Sequence, residues 1–368
     1  MSATPAAAAN PPIVAPNVRD LVDLGRDLAT WLAGKLPGAS DIRISDLKYP
    51  LGAGMSHETI LFDAAWREGG EARQRGMVVR IKPSSKFVYQ DDMFVQQYQL
   101  MELMHRTGAV PVATPLWFES DPTLLGAPFF VMEKVHGRVC VTFPPYCQEG
   151  WLFDSTPAQR AVLWEDSVRK LAGIQTVGIA DAPFLNLPGT YAEPFDQEVD
   201  RFVRYLDWVD PKGELTLLRQ GFDRLMQHRP ANRPEGIVWG DSRLGNMMVG
   251  DDYKVVAVMD WEQPSVGGAL HDLGWWLAIE EMQTTMRGIP PLEGMGSTAQ
   301  TIQLWEDVCG KSAADWQWYE AFAAFKLDAI SVKMMLNGAL AGRSMGDIRF
   351  GERTRDAMAK HGDFFPGA

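Results

Sequence analysis

Apolar residues recur at strand spacing in the first third of the chain and at helical spacing in most of the remainder. Short apolar runs broken by glycine-rich turns predict a small β-sheet, and the apolar positions between residues 91 and 106 lie four, three and four residues apart, which indicates one face of a helix. The predicted strands of this N-terminal unit are 42–47, 60–66, 77–82, 116–118 and 129–135.

Beyond Gly137 the apolar spacing becomes mainly helical. Between Ile237 and Glu262 two short β-rich segments, 237–239 and 255–259, interrupt this pattern. A further helix is predicted near the start, where Asn17 can cap a segment that runs to Pro37-Gly38. The predicted helices of the second part are 158–177, 194–209, 214–228, 270–283 and 316–336.

This order predicts an α+β fold with two lobes. Residues 17–136 are the expected N-terminal lobe, with a small antiparallel sheet and one helix, and residues 137–368 the larger, mainly helical C-terminal lobe. The Ala/Pro-rich residues 1–16 are expected to form a disordered tail. A length of 368 residues with 46% hydrophobic residues suits two folded units with a large core.

Charge and cysteine content narrow the class of protein. The formal net charge of −12 argues against a nucleic-acid or anionic-membrane binder, because phosphate-tracking surfaces need clustered Lys and Arg. No uncharged apolar run approaches membrane-spanning length. Three cysteines and the absence of a secretory start favour a reducing compartment, so we expect a cytoplasmic protein. Six scattered histidines predict no structural zinc site, which leaves oxygen-liganded cations.

The candidate catalytic residues lie in the region from Ile237 to Glu262, where β-rich segments interrupt the helical pattern. Asp241 precedes Asn246 by five residues, and Asp260 follows an apolar strand. An Asp on a loop can present its carboxylate to a substrate hydroxyl, and an Asn oxygen with a second Asp can hold Mg²⁺, a combination that phosphoryl transfer uses. The alternative is an Asx-rich turn and a helix cap without chemistry. Because both motifs occur in this order, the phosphoryl-transfer hypothesis is the stronger one.

These residues resemble the aminoglycoside phosphotransferase-like family of the protein-kinase-like fold, which includes choline kinases and hydroxyacyl-CoA kinases. The resemblance covers most of residues 45–285 and implies that Asp241 orients the acceptor hydroxyl, that Asn246 and Asp260 bind Mg²⁺, and that Asp272 supports the catalytic loop. Trp239 stands where the family usually has His. Arg243 is expected to neutralise the transferred phosphate, to pair with Asp272, or to form a surface salt bridge.

The nucleotide side of the site is predicted from the N-terminal strands. Gly52, Gly54 and Ser56 lie in a predicted turn whose backbone N–H groups could donate to phosphate. The alternative is a hairpin turn with no binding role. Strand alternation puts Arg80 and Lys82 on one face, and the resemblance favours Arg80 as the phosphate-binding cation. It also implies backbone contacts from Glu133 and Val135 to adenine. Gln97 occupies the position of the family's helix Glu.

The sequence therefore predicts an ATP- and Mg²⁺-dependent phosphotransferase with a small-molecule hydroxyl acceptor, and no nucleic-acid or membrane partner. The acidic balance suits a polycationic acceptor such as an aminoglycoside, whereas the Trp- and Met-rich composition equally suits a hydroxyacyl-CoA. A pseudokinase-like module that binds nucleotide without transfer is the rival hypothesis. The oligomeric state is left open.

Overall fold

The computed structural model describes residues 19–50, 57–83, 88–142, 144–338 and 349–367, which divide into two compact units. The first contains the described residues up to 83 together with 116–134, and the second contains 88–115 and the described residues from 135 onward. The predicted lobe boundary at residue 136 lies close to the division after Lys134, but residues 88–115 group with the second unit. The division into lobes at 136 stays a prediction. The tail, Gly52, Gly54 and Ser56 lie outside the described residues.

The first unit is built on a five-stranded sheet with the order β1-β2-β3-β5-β4. The pairs β1–β2, β2–β3 and β3–β5 are antiparallel. β2 and β3 form a long hairpin that turns at Gly69 and Gly70, both at positive φ, as the glycine pair in the sequence predicts. The strands are β1 (Ala39–Lys48), β2 (Glu58–Glu68), β3 (Glu71–Ile81), β4 (Pro115–Glu119) and β5 (Phe129–Glu133).

Helix α1 (Leu21–Lys35) covers one face of this sheet. It begins at Asp20, whose side chain accepts hydrogen bonds from the next backbone N–H groups; the predicted cap Asn17 lies outside the described residues. A one-turn helix, α3 (Pro122–Leu125), lies between β4 and β5. Alternate residues of β2 are buried, so one sheet face and the apolar stripe of α1 form the core. This core includes Leu24, Leu28, Trp31, Ile60, Phe62, Val79 and Phe129.

The second unit is mainly helical and contains a small sheet with the order β6-β7-β8. Helix α9 is buried along most of its length, and α7 and α5 pack on it through aromatic side chains. The strands are β6 (Arg138–Val139), β7 (Met247–Val249) and β8 (Val255–Val258). The helices are α2 (Phe94–Thr107), α4 (Pro157–Ile174), α5 (Pro194–Val209), α6 (Thr216–Gln227), α7 (Leu270–Gln283), α8 (Thr298–Cys309), α9 (Trp316–Leu336) and α10 (Glu352–Lys360).

The predicted α+β class is confirmed, with two departures in the second unit. The strand predicted at 237–239 is wrong, because there Val238 forms only an isolated antiparallel bridge with Ser265. Helices α8 and α10 were not predicted. Within the described part of the chain, no helix is long and apolar enough to cross a membrane.

Candidate active site

The loop that carries Asp241 follows the bridge between Val238 and Ser265. Gly240 has φ of +103°, and a Cβ at this position would lie 2.5 Å from the Gln263 carbonyl oxygen, so the turn requires glycine. Its backbone approaches the 263–265 segment too closely for any other residue. Asp241 directly follows this turn and is half-buried.

Asp272 holds this loop from the first turn of α7. Its buried carboxylate accepts hydrogen bonds from the backbone N–H groups of Trp239 (2.6 Å) and Gly240 (2.9 Å), and Ser242 donates its hydroxyl to the Asp272 carbonyl oxygen (2.7 Å). Burial raises the pKa of Asp272 to about 6, although the two N–H groups partly oppose that rise. The expected supporting role of Asp272 agrees with this geometry.

The carboxylate of Asp241 is fixed by three donors from the described residues. Arg243 Nε lies 2.9 Å and Asn246 Nδ2 lies 2.7 Å from Oδ2, and Trp275 Nε1 lies 3.0 Å from Oδ1. Hydrogen bonds on both oxygens determine the position and the rotation of the carboxylate plane. The sequence predicted Asp241, Arg243 and Asn246 at the site, and Trp275 is an addition from the structure.

Arg243 pairs with Asp241 and not with Asp272, which was one of its expected partners. Its Nη1 also donates to the Thr142 hydroxyl at 2.8 Å. Burial alone would lower the pKa of Arg243, but the charges of Asp241 and Asp260 outweigh burial and raise it. The guanidinium is a fixed positive charge beside the candidate base.

Asn246 and Asp260 have the donor chemistry that a hard cation needs. Asn246 Nδ2 donates to the Asp241 carboxylate and to its carbonyl oxygen (2.9 Å), which leaves Oδ1 as the amide atom able to ligate a cation. The Met259 N–H donates to the Asn246 carbonyl oxygen (2.8 Å), so the segment bearing Asp260 is tied to the loop. Asp260 itself has φ of +60°, an unusual backbone conformation that occurs at functional sites.

The described residues contain no group of three His, Cys, Asp or Glu side chains placed to hold a metal ion. One Asn and one Asp still suit Mg²⁺, which keeps waters and commonly shares one or two protein ligands with substrate phosphates. The donor set therefore fits Mg²⁺ and does not fit a structural zinc site.

Trp239 connects the loop that carries Asp241 to the segment before Asp260. Its indole is fully buried, donates from Nε1 to the Met259 carbonyl oxygen at 2.8 Å, and packs against Trp261 with ring centroids 5.7 Å apart. The family's usual His is smaller than this indole. In this chain the position supports the loop through a buried hydrogen bond and aromatic packing.

Tyr89 is a second site residue that the sequence did not indicate. Burial, and then the nearby carboxylates of Glu262 and Asp241, raise the pKa of its hydroxyl well above the usual value. The phenol therefore stays protonated and can donate a hydrogen bond among these acids. Its signal in the sequence is weak, because a single Tyr ahead of a helix carries no spacing pattern.

The residues predicted to bind nucleotide lie partly in the first unit. Arg80 is in β3, with Nη2 3.4 Å from His57 Nδ1, and Lys82 follows the strand. Glu133 ends β5 and its carboxylate accepts from Arg75 Nε at 2.7 Å. Val135 is the first residue of the second unit after Lys134. Their roles toward a nucleotide stay predictions.

Comparison with known proteins identifies the family. The sequence model described as "Phosphotransferase enzyme family" matches residues 54–306. The chain belongs to this family. Probable acyl-CoA dehydrogenase IBR3 of Arabidopsis thaliana is 24% identical over 328 residues, covering 83% of this chain and 37% of that protein. Acyl-CoA dehydrogenase family member 11 of Homo sapiens is 24% identical over 314 residues, covering 80% and 39%. The chain thus spans about two fifths of the length of these relatives.

Solved structures confirm the predicted kinase-like fold. A candidate aminoglycoside phosphotransferase from Ralstonia eutropha superposes with a TM-score of 0.66 at 24% identity, covering 92% of this chain and 97% of that one. Choline kinase LicA from Streptococcus pneumoniae gives 0.55 at 10% identity, covering 92% and 99%. An aminoglycoside phosphotransferase of the APH(2") type, in complex with GDP and kanamycin, gives 0.56 at 17%, covering 90% and 98%.

Proposed function

We propose that this protein transfers the γ-phosphoryl group of ATP to a hydroxyl group of a small molecule, with Mg²⁺ bound. The observation that carries the proposal is the Asp241 carboxylate, fixed by Arg243, Asn246 and Trp275 in the segment that also ties down Asp260. Membership of the phosphotransferase family supports the same reaction class.

In this proposal Asp241 orients the acceptor hydroxyl and takes up its proton as the oxygen bonds to the γ-phosphorus. The bond between that phosphorus and the β–γ bridging oxygen breaks, and ADP leaves with the electron pair. Arg243 keeps a positive charge next to the carboxylate as negative charge moves. The chain's contribution is positioning and charge compensation, as in other phosphoryl-transfer sites.

Asn246 Oδ1 and Asp260 are the residues that would hold Mg²⁺. A bound Mg²⁺ would neutralise charge on the phosphate oxygens. Further along the nucleotide, we propose phosphate contacts from Arg80, with Lys82 as the alternative, and from the turn that includes Gly52, Gly54 and Ser56. The backbones of Glu133 and Val135 are proposed to contact the adenine ring.

A hydroxyacyl-CoA is the acceptor that a specific observation favours over an aminoglycoside. The curated relatives that align with most of this chain are named as acyl-CoA dehydrogenases, and an acyl-CoA is an acyl thioester. The chain matches only about two fifths of their length, which suits a kinase-like region beside a dehydrogenase region in those proteins. A phosphorylated hydroxyacyl thioester could then pass to acyl-CoA chemistry. Aminoglycoside acceptors are the alternative, since the structural neighbours include such enzymes.

The test is incubation of the protein with γ-labelled ATP and Mg²⁺ against hydroxyacyl-CoA esters, aminoglycosides, choline-like amines and sugars. The Asp241→Ala protein is the blank. We expect label to move to hydroxyacyl-CoA esters in the wild type alone. Transfer to aminoglycosides alone would replace the acceptor assignment, and nucleotide binding without transfer to any acceptor would favour the pseudokinase-like module.

A further inference from the structure

Trp275 places its indole N–H on the candidate base from the adjoining helix. The side chain leaves α7 one turn after Asp272, is 4% exposed, and donates from Nε1 to Asp241 Oδ1 at 3.0 Å. Its ring packs with Ala278, Ile279 and Ala323 between α7 and α9. Because this packing restricts rotation of the ring, the direction of the N–H is set by the helix pair.

We propose that Trp275 is a positioning residue for phosphoryl transfer, which fixes the oxygen of Asp241 that faces the acceptor hydroxyl; this inference rests on the proposed function. Oδ2 receives two donors, from Arg243 and Asn246, whereas among the described residues Oδ1 receives the indole alone. An oxygen with one donor keeps a lone pair for a further hydrogen bond. Oδ1 is therefore the atom suited to the acceptor.

A buried ion pair lies against the Trp275 ring. Lys326 Nζ lies 5.3 Å from the ring centroid and 3.1 Å from Glu198 Oε1. Burial opposes ionisation of Glu198, but Lys326 and Arg201 outweigh it and lower the Glu198 pKa to about 2, so the carboxylate of Glu198 is charged at neutral pH. A cation on an aromatic face is attracted to the ring and restrains it.

The same ion pair leads back to the catalytic loop. Ser265 donates its hydroxyl to Glu198 Oε2 at 2.8 Å, and its backbone pairs with Val238, three residues before Asp241. The indole and the loop are thus attached to one buried network, so Trp275 and Asp241 are held relative to each other from two directions.

The experiment changes the N–H without changing the shape of the side chain. Benzothienylalanine, which has sulfur in place of the indole N–H, is incorporated at position 275, and 5-fluorotryptophan, which keeps the N–H, is incorporated in a parallel sample. We expect the benzothiophene to lower kcat by about tenfold to a hundredfold, with the nucleotide KM changed by less than about twofold. The fluorinated indole should retain kcat. The indole N–H resonance of Trp275 should also shift in Asp241→Asn.

Trp305 in α8 is the matched control. It is fully buried, and its indole nitrogen has no hydrogen-bond partner in the part of the chain that the structure describes. Benzothienylalanine at 305 should leave kcat within about twofold of the wild type, since no bond to a carboxylate is lost.

Two results would count against the inference and can be told apart. If the wild type is active and the protein with benzothienylalanine at position 275 has the same kcat, the role of Trp275 is overturned and the proposed function stands. A wild type that transfers phosphoryl groups to no acceptor overturns the proposed function, and this inference with it.

Discussion

Replacing Trp239 with Phe tests whether the indole joins the loop that carries Asp241 to the Asp260 segment. The change removes the bond to the Met259 carbonyl oxygen, which costs about 1–3 kcal/mol when the buried acceptor is left without a partner. The lost ring carbons remove roughly 1.5 kcal/mol of apolar burial. The free energy of unfolding should therefore fall by about 2.5–4.5 kcal/mol, which lowers the Tm by roughly 10 °C in a unit of this size.

Trp318→Phe is the matched control for this substitution. Trp318 is also fully buried and donates from its indole to a helix carbonyl, that of Leu225 at 3.0 Å, but it lies in α9 and its hydrogen bond joins α9 to α6. Both variants should lose similar stability in thermal unfolding. Only Trp239→Phe should also lower kcat, by about tenfold or more, because the loop and the Asp260 segment lose a shared bond. Equal kcat in the two variants, measured well below both Tm values, would refute this reasoning.

Three further predictions concern single carboxylates. Asp260→Ala should abolish phosphoryl transfer in the labelled-ATP assay, and near wild-type turnover would remove the Mg²⁺ assignment. Asp272→Asn should lower the unfolding free energy in urea titrations by roughly 1–3 kcal/mol, because an amide NH2 group, which is a donor, replaces one of the two oxygens that accept from the loop N–H groups. Burial raises the pKa of Glu280 to about 7, only partly opposed by the Tyr146 hydrogen bond, so the folded state loses stability as pH rises from about 4.5 to about 7. Glu280→Gln removes this pH-dependent loss. The difference in unfolding free energy between the variant and the wild type should therefore change in favour of the variant by roughly 3 kcal/mol across this pH window, whereas a pH-independent difference would contradict the burial argument.

Helices with a continuous apolar face were predictable from the sequence. The bounds expected for α5, α7 and α9 are those observed, since each segment starts or ends at a clear change in polarity. Helix α8 was missed because only Thr301 and Trp305 are buried along it. The Ser297 and Gln300 capping box was its available signal.

At 237–239 the sequence predicted a strand that does not form. A run of apolar and aromatic residues is typical of a buried strand, but here the same residues are buried by neighbouring segments with only one bridge to Ser265. Local propensity describes what a segment can pack against, and tertiary structure decides whether a ladder forms.

The candidate site was predictable where its residues are close in the chain. Asp241, Arg243 and Asn246 share one loop, so their meeting follows from spacing. The contact of Trp275 with Asp241 spans 34 residues, and Tyr89 lies further still. No periodicity specifies such long-range pairs, because they depend on how separate helices pack. Arg243 likewise had several possible partners in sequence, and only the folded loop selected Asp241.

Phosphorus NMR of the protein with ATP, Mg²⁺ and a hydroxyacyl-CoA ester tests most directly whether this site transfers a phosphoryl group. We expect a new phosphate monoester resonance that grows in step with ADP in the wild type and not in Asp241→Asn. ADP with inorganic phosphate alone, or a monoester formed equally by the variant, would contradict the assignment of Asp241 and of the reaction.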